Sequence, residues 1–335
     1  MKIFLLFICF FTVLLAQDSQ TKENEYTLGE GVQVGTLPLY IGGYFSADYT
    51  KKSNTNRYRV DDIALLAYGN YNKFSYLAEM EYKEFYTYTD FNATHTIERN
   101  TRLHTERLYI DYTFNENFML RGGKYNSPIG FWNLLPINVL RDTTSNPVST
   151  SILFPKFSTG LYGSYSKYGD DELQIDVILQ HNDDLDANYN NYKTDEHYGA
   201  GVSYTHNDLN VKLNIGMFDN VVSDTSSTHL YYAVASLQYD AEHYKITSEF
   251  GTQRNNKGFT TKYAGYLQGG YRFNEKHLGI VRLESYSQTD TNRQDNIAIV
   301  GYTYRPLYPV AFKAEYQFHS LHDENQFLFS WSVLF

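Results

Sequence analysis

The chain has 335 residues, 20% of them charged and 17% aromatic, including 33 Tyr and 22 Phe. That is too aromatic and too regular for a disordered chain, and a mean hydropathy of −0.48 is too polar for a bundle of membrane helices. A net charge of −10 lacks the basic footprint of non-specific nucleic-acid binding, so no nucleic-acid partner is expected.

Residues 1–16 read as a secretory signal peptide. Lys2 supplies the positive start, Ile3 to Leu15 is apolar apart from Thr12, and Ala16 offers a small residue before Gln17. The apolar run falls short of the ~18 residues of a spanning helix, which disfavours an uncleaved anchor. Leu14, three positions before the cut, leaves the exact cleavage site open. Cys9, the one cysteine, departs with this segment, so the mature chain is expected to rely on its backbone ladder and packing without a disulfide.

Beyond residue 16 no sustained period of 3.6 appears, and alternation at period two recurs to the end of the chain. The runs lie near 39–50, 58–71, 73–89, 101–114, 116–125, 156–168, 171–181, 195–206, 208–218, 228–240, 243–254, 259–274, 276–288, 294–305, 308–320 and 325–335, sixteen in all. The last is the clearest: Phe327, Phe329, Trp331, Val333 and Phe335 share one face, opposite Gln326, Leu328, Ser330, Ser332 and Leu334. Connections after even-numbered runs are tight, as at Asn72, Asn115, Gly169-Asp170, Asn207-Asp208, Ala241-Glu242, Asn274-Glu275 and Pro306-Leu307. Those after odd-numbered runs are mostly longer and more polar, as at Asp90–Asn100, Asn182–Thr194 and Asp219–Ser227.

Short turns on one rim and long loops on the other are the pattern of a transmembrane barrel. A spanning sheet must close on itself, because lipid cannot satisfy open backbone groups. Its strands then show apolar residues to lipid and polar ones to the lumen. Charges in mid-strand such as Asp176 and Lys245 fit the lumen face, and aromatics near strand ends, such as Phe85, Tyr86, Tyr88, Tyr302 and Tyr304, fit interfacial girdles. The alternatives are a large β-sandwich or a β-solenoid. The expected fold is all-β: a closed antiparallel transmembrane β-barrel of about 16 strands with a long constriction loop after strand 5. Residues 17–38 are expected to form a short periplasmic segment and 39–335 a single barrel domain.

The terminal stretch Phe327-Leu328-Phe329-Ser330-Trp331-Ser332-Val333-Leu334-Phe335 resembles the last strand of bacterial outer-membrane proteins. Sixteen strands with a long connection after the fifth resemble the trimeric porins, and Arg121 to Asn133 is similar to a segment of porins related to the phosphate-selective ones. The resemblance implies the outer membrane of a Gram-negative bacterium, with its lipid and barrel assembly machinery as partners. It implies Phe335 as an assembly signal and a homotrimer as the assembled state.

A sixteen-stranded barrel is wide enough for an aqueous channel, so passive passage of ions and small hydrophilic solutes is the first functional reading. The constriction is expected from Asn126–Pro155, which carries Pro128, Pro136, Pro147 and Pro155. Its apolar cluster Ile129, Phe131, Trp132, Leu134 and Leu135 is expected to pack inside rather than face solvent. Pro128, Phe131, Trp132, Arg141 and Asp142 are the constriction candidates. By pleat phase, Glu79, Glu81, Arg107, Asp111, Arg121, Glu249, Arg282, Lys313 and Glu315 line the pore, with Lys156 just after the loop. Lys83, Lys212, Lys245, Lys262, Arg272, Asp176 and Glu284 share that phase, and the signs balance too closely to give a charge preference. Phosphate specificity is disfavoured by a loop without Lys and with Arg141 as its one Arg. A substrate-specific channel for anions, phosphate or carboxylates is the second reading, and a non-conducting adhesin-like barrel the third.

Enzyme signals are weak. Asp183, Asp184 and Asp186 are expected only to keep the rim solvated, and no Ser has a nucleophile-elbow context. His319 and His322 beside Asp323 and Glu324 form a His-x-x-His more readily read as a polar loop than a metal site. Asn92-Ala93-Thr94 matches a glycosylation sequon of a kind common by chance. No motif for a cofactor is present.

Overall fold

The computed structural model describes residues 26–335 apart from 93, 224–225 and 322. The signal-peptide reading, Cys9, the central residue of the sequon and His322 fall outside the described residues. Sixteen long strands follow in chain order: β1 Tyr40–Lys52, β2 Thr55–Tyr71, β3 Phe74–Phe91, β4 Leu103–Thr113, β5 Phe118–Asn126, β6 Phe157–Lys167, β7 Glu172–His181, β8 Thr194–His206, β9 Leu209–Ser223, β10 Ser226–Asp240, β11 Tyr244–Asn255, β12 Gly258–Asn274, β13 His277–Gln288, β14 Arg293–Leu307, β15 Val310–His319 and β16 Gln326–Leu334.

Each strand pairs antiparallel with the next, and β16 pairs antiparallel with β1 from Gln326 opposite Lys52 to Leu334 opposite Tyr44. The sheet is therefore a closed barrel with no free edge, as a lipid environment requires. Phe335 extends the seam: its N–H donates to the Gly43 carbonyl at 2.8 Å and its carbonyl accepts from the Gly43 N–H at 2.7 Å.

The side chains are arranged inside out relative to a soluble protein. Leu65, Ile110, Ile175, Ile215, Leu267, Val281 and Val300 stand exposed on the outer face. The alternating residues Asp176, Asn214, Glu249, Gln268, Arg282 and Lys313 are buried inside. An outward apolar band of this kind satisfies the hydrophobic effect only in lipid. Aromatic rings meet at the tight-turn end, with Phe74–Tyr112, Tyr112–Phe114 and Tyr271–Phe273 centroids 4.7–5.1 Å apart. Others meet at the opposite end, as in Tyr49–Tyr58 at 4.8 Å. Residues 26–38 lie at the tight-turn end: Gly31–Gln33 pairs with the start of β1, and Tyr76 donates to the Pro38 carbonyl at 2.5 Å.

Two expected loops are ladder instead. Asp219–Ser223 and Ser226–Ser227 continue the β9–β10 pairing, with Asp219 opposite His229 and Val221 opposite Ser227. Asp90 and Phe91 belong to β3, and Thr94–Arg99 folds back along it as a short strand. Among the turns, β12 runs through Asn274 and β14 through Leu307, so those turns fall at 275–276 and 308–309. The long connections on the far rim are thus chiefly 127–156, joining β5 to β6, and 182–193, joining β7 to β8.

Candidate functional site

The connection 127–156 lies inside the barrel. Its apolar residues meet two apolar strips in an otherwise polar inner wall. Ile129, Leu153 and Phe154, all fully buried, pack with Ile178, Phe218, Leu230, Val234, Ile297 and Ile299. Ile137 and Val139 pack with Tyr44, Ala64, Leu66 and Ala311. The loop's irregular backbone, buried away from water, must find hydrogen-bond partners outside any ladder. Charged side chains of the wall supply them.

The Phe131 and Trp132 N–H groups donate to Glu249 at 2.7 and 2.8 Å. Thr144 and Ser145 each donate an N–H to one oxygen of Glu315 at 3.1 Å, and the Val148 N–H donates to Glu284 at 2.9 Å. In the reverse sense, Arg282 donates to Thr143 at 2.7 Å and to the Ser145 hydroxyl at 2.6 Å. Lys313 donates to the Asn138 side chain at 2.9 Å, and Arg305 to the carbonyls of Val139 and Arg141. Lys245 holds Asp142 in an ion pair at 2.8 Å. Gly130 shows how close the approach is: its φ is +67°, and a Cβ there would come within 2.5 Å of Glu249.

These contacts reassign several residues expected to line the pore. Glu249, Arg282, Lys313 and Glu315 do point into the barrel, but the loop covers them and they are at most 2% exposed. Pro128 and Asp142 are turned to the same wall: the Pro128 carbonyl accepts from Asn214 at 3.2 Å and Asp142 from Gln268 at 3.3 Å. The Phe131 side chain is half-buried, with its N–H already on Glu249. Lys262 stands at a register break between Thr261 and Tyr263, where Thr261 takes the buried place.

The space left open lies on the other side of the lumen. A cavity of about 380 Å³ is bounded by Tyr44, Asp62, Glu81, Lys83, His104 and Glu106 on strands β1 to β4, and by Trp132, Arg141 and Lys156 on the loop. On the strand side the charges are closely knit. The Tyr44 hydroxyl is 2.8 Å from an oxygen of both Glu81 and Glu106. Lys83 bonds Asp62, Arg107 bonds Glu79, and Arg59 pairs with Asp48 at 2.8 Å. Glu79 is fully buried behind this layer.

On the loop side, Arg141 uses its guanidinium on the Leu135 and Pro136 carbonyls, and the Lys156 ammonium has no hydrogen bond or ion pair among the described residues. Burial, then the neighbouring positive charges of Arg141 and Lys83, push the Lys156 ammonium down to about 8, against a weaker pull from Glu106. Toward the tight-turn end, Arg121 grips Asp111 at 2.6 and 2.8 Å and lies 3.8 Å over the Tyr109 ring.

Glu106 escaped the alternation because of a bulge. Glu79 pairs with Arg107 but Met80 with Thr105, so Glu106 is the extra residue and turns inward beside Arg107. The signal was present: the lipid-facing Leu103 and Leu108 sit on opposite parities, which one unbroken strand cannot provide. A second bulge, between Val60 and Asp62, turns both Asp61 and Asp62 inward.

The connection 182–193 corrects another expectation. Asp184 and Asp186 do not solvate the rim. Asp184 pairs with the fully buried Lys124 at 3.1 Å, and Asp186 lies 3.0 Å from His104 Nδ1. Asp183 alone of the three is exposed. His319 binds Asp295 at 2.6 Å.

No family model matches the chain, and no curated protein does. Among solved structures it superposes on OmpF of Salmonella typhi with a TM-score of 0.61 and 10% identity, covering 93% of this chain and 100% of that one. An anion-selective porin from Comamonas acidovorans gives 0.59 and 11% identity over 89% of this chain and 99% of that one. The trimer form of OmpT, an outer membrane protein of Vibrio cholerae, gives 0.57 and 10% identity over 89% and 99%. At such identities the likeness bears on the fold, which is that of the sixteen-stranded porins of Gram-negative outer membranes.

Proposed function

We propose that this chain, with its porin fold, sits in the outer membrane as a channel without enzymatic activity, giving ions and small hydrophilic solutes a passive route through the barrel. The observation that carries this reading is the placement of the loop 127–156, which is hydrogen-bonded to the wall from β9 round to β16, packs Ile137 and Val139 on Tyr44, Ala64 and Leu66 of β1 and β2, and leaves the cavity beside Asp62, Glu81 and Glu106. Selectivity in such a passage follows from its width and the charges on it. Its edges here are Trp132, Arg141 and Lys156 facing Asp62, Glu81 and Glu106.

A homotrimer is part of the proposal, supported by the trimer form of the Vibrio protein. Phe335, which ends the closing seam, is proposed as the signal read by the assembly machinery. A solute-specific anion channel is the second reading, favoured by one observation, the unpartnered Lys156 ammonium beside Arg141.

Single-channel conductance of the refolded protein in a planar bilayer under a salt gradient tests the proposal. Steps in groups of three with a reversal potential are expected, whereas a folded but silent barrel means a blocked or adhesive one. A conductance plateau with one solute would move the weight to the specific channel. Deleting Ile129–Leu135 is expected to raise the conductance by about two-fold by widening the passage, and an unchanged value in a folded barrel removes this segment from the constriction.

A further inference from the structure

We infer that the connection 182–193 is a second wall of the passage, and that Tyr189 at its inner tip sets the width on the side away from the long loop. The inference rests on the channel reading above.

A polar connection at the rim of a barrel gains little by leaving water. This one contains Asn182, Asp183, Asp184, Asp186, Asn188, Asn190 and Asn191, yet it is tied down at points that only an inward course can reach. It leaves the wall at β7. By Asp186 it has reached β4, taking the Thr105 N–H at 3.2 Å as well as His104. At Tyr189 it has reached β3, with the hydroxyl 2.7 Å from Glu81 and 3.2 Å from Glu106. On its way back Asn191 donates to the carbonyls of Ser151 and Phe154, at 3.0 and 2.8 Å, and accepts from the Lys156 N–H at 2.8 Å. The connection therefore spans from the strand wall to the end of the first loop.

Two features make it a fixed wall rather than a loose flap. Lys124 of β5 is fully buried, and its ammonium is satisfied by Asp184 at 3.1 Å and the Asp186 carbonyl at 2.9 Å. A buried cation that loses its partners is strongly unfavourable, so lifting the connection is opposed. The Tyr189 ring is also clamped, with its centroid 5.1 Å from His104 and 5.5 Å from Phe157. Burial, and then the Glu106 and Glu81 carboxylates, hold its phenol far above the usual range and therefore protonated. Tyr189 and its neighbour Asn188 border the cavity directly.

The test compares Tyr189→Ala and Tyr189→Phe with the unaltered protein in planar bilayers, together with the size limit for neutral polymers that lower the conductance. Tyr189→Ala is expected to raise conductance by about 1.5- to 2-fold and to admit larger polymers, because a ring is removed from the narrowest section. Tyr189→Phe keeps the ring and is expected to keep the size limit. If the unaltered barrel conducts and Tyr189→Ala leaves both conductance and size limit unchanged, the inference fails while the channel reading stands. If the unaltered barrel is silent, the channel reading fails and takes this one with it. Should Tyr189→Ala not fold, Asn188→Cys in a Cys9→Ser background supplies the readout. A charged thiol reagent is expected to lower its conductance at least about two-fold by narrowing the passage, and no change overturns the inference.

Discussion

The two halves of the inner wall use the same side-chain types for different ends. From β9 to β16, Glu249, Arg282, Glu284, Lys313 and Glu315 face the long loop and bond its backbone. From β1 to β4, Asp62, Lys83, Glu81 and Glu106 border the cavity instead and bond mainly one another and two phenols; Lys83 is the most exposed of them, and Glu81 lies buried beneath the Tyr44 and Tyr189 hydroxyls. Pointing into a barrel is therefore not the same as lining a channel. Irregular backbone laid against a wall needs donors and acceptors, and charged ones are the strongest available. Where backbone covers the wall, the charges serve as pins; where it does not, they remain to act on a solute.

The contrast predicts opposite signatures for two single changes. Glu249→Ala removes the acceptor of two buried N–H groups, at a cost of about 1–3 kcal/mol each. Single-channel recording is expected to show higher conductance and noisier open states with nearly constant ion preference, as the start of the loop loosens. Lys83→Gln leaves the loop pinned and is expected to shift the reversal potential toward cations with little change in conductance. Equal effects on both quantities in both variants would erase the distinction between the halves.

A smaller effect is expected from pH, through Lys156. Its ammonium is charged below about 8 and neutral above. The groups around it are Arg141 on the loop, Asp62, Lys83, Glu81, His104 and Glu106 on the wall, and Tyr189. Raising the pH from 7 to 9 removes one positive charge from the cavity, so the reversal potential is expected to move toward cations. Lys156→Gln should show no such movement; its persistence would assign the titration to another group.

The smallest effect is expected at Arg121, already neutralised by Asp111 and stacked on Tyr109. Arg121→Glu should move the preference toward cations by less than Lys83→Gln does. A larger movement would put the controlling section near the tight turns.

Much of the barrel was legible because each strand repeats one two-residue pattern, with Leu173, Ile175, Val177 and Leu179 to lipid and Asp176 and Gln180 inward. The inward course of 127–156 was legible in its own Ile129 and Trp132. Its seat was also written, in residues that break the polar phase: Ile178, Phe218, Val234, Ile297 and Ile299. They read as noise until a partner is supplied. The covering of Glu249 and Arg282 was not legible, since pleat phase gives direction and says nothing of what lies opposite. Glu106 was lost to a bulge, and Tyr189 to the polarity of its surroundings, which matches that of an ordinary solvated loop.

The reach of the long loop also orders events in time. Neighbouring strands pair as local hairpins, but the loop's fastenings join residues far apart in the chain, such as Asn138 to Lys313 and Thr144 to Ser330. Contacts of such separation close late, and here they require strands made after the loop itself. The barrel should therefore pass through a state that is circular and wide before it is narrow, so that the last step of folding is the one that calibrates the hole.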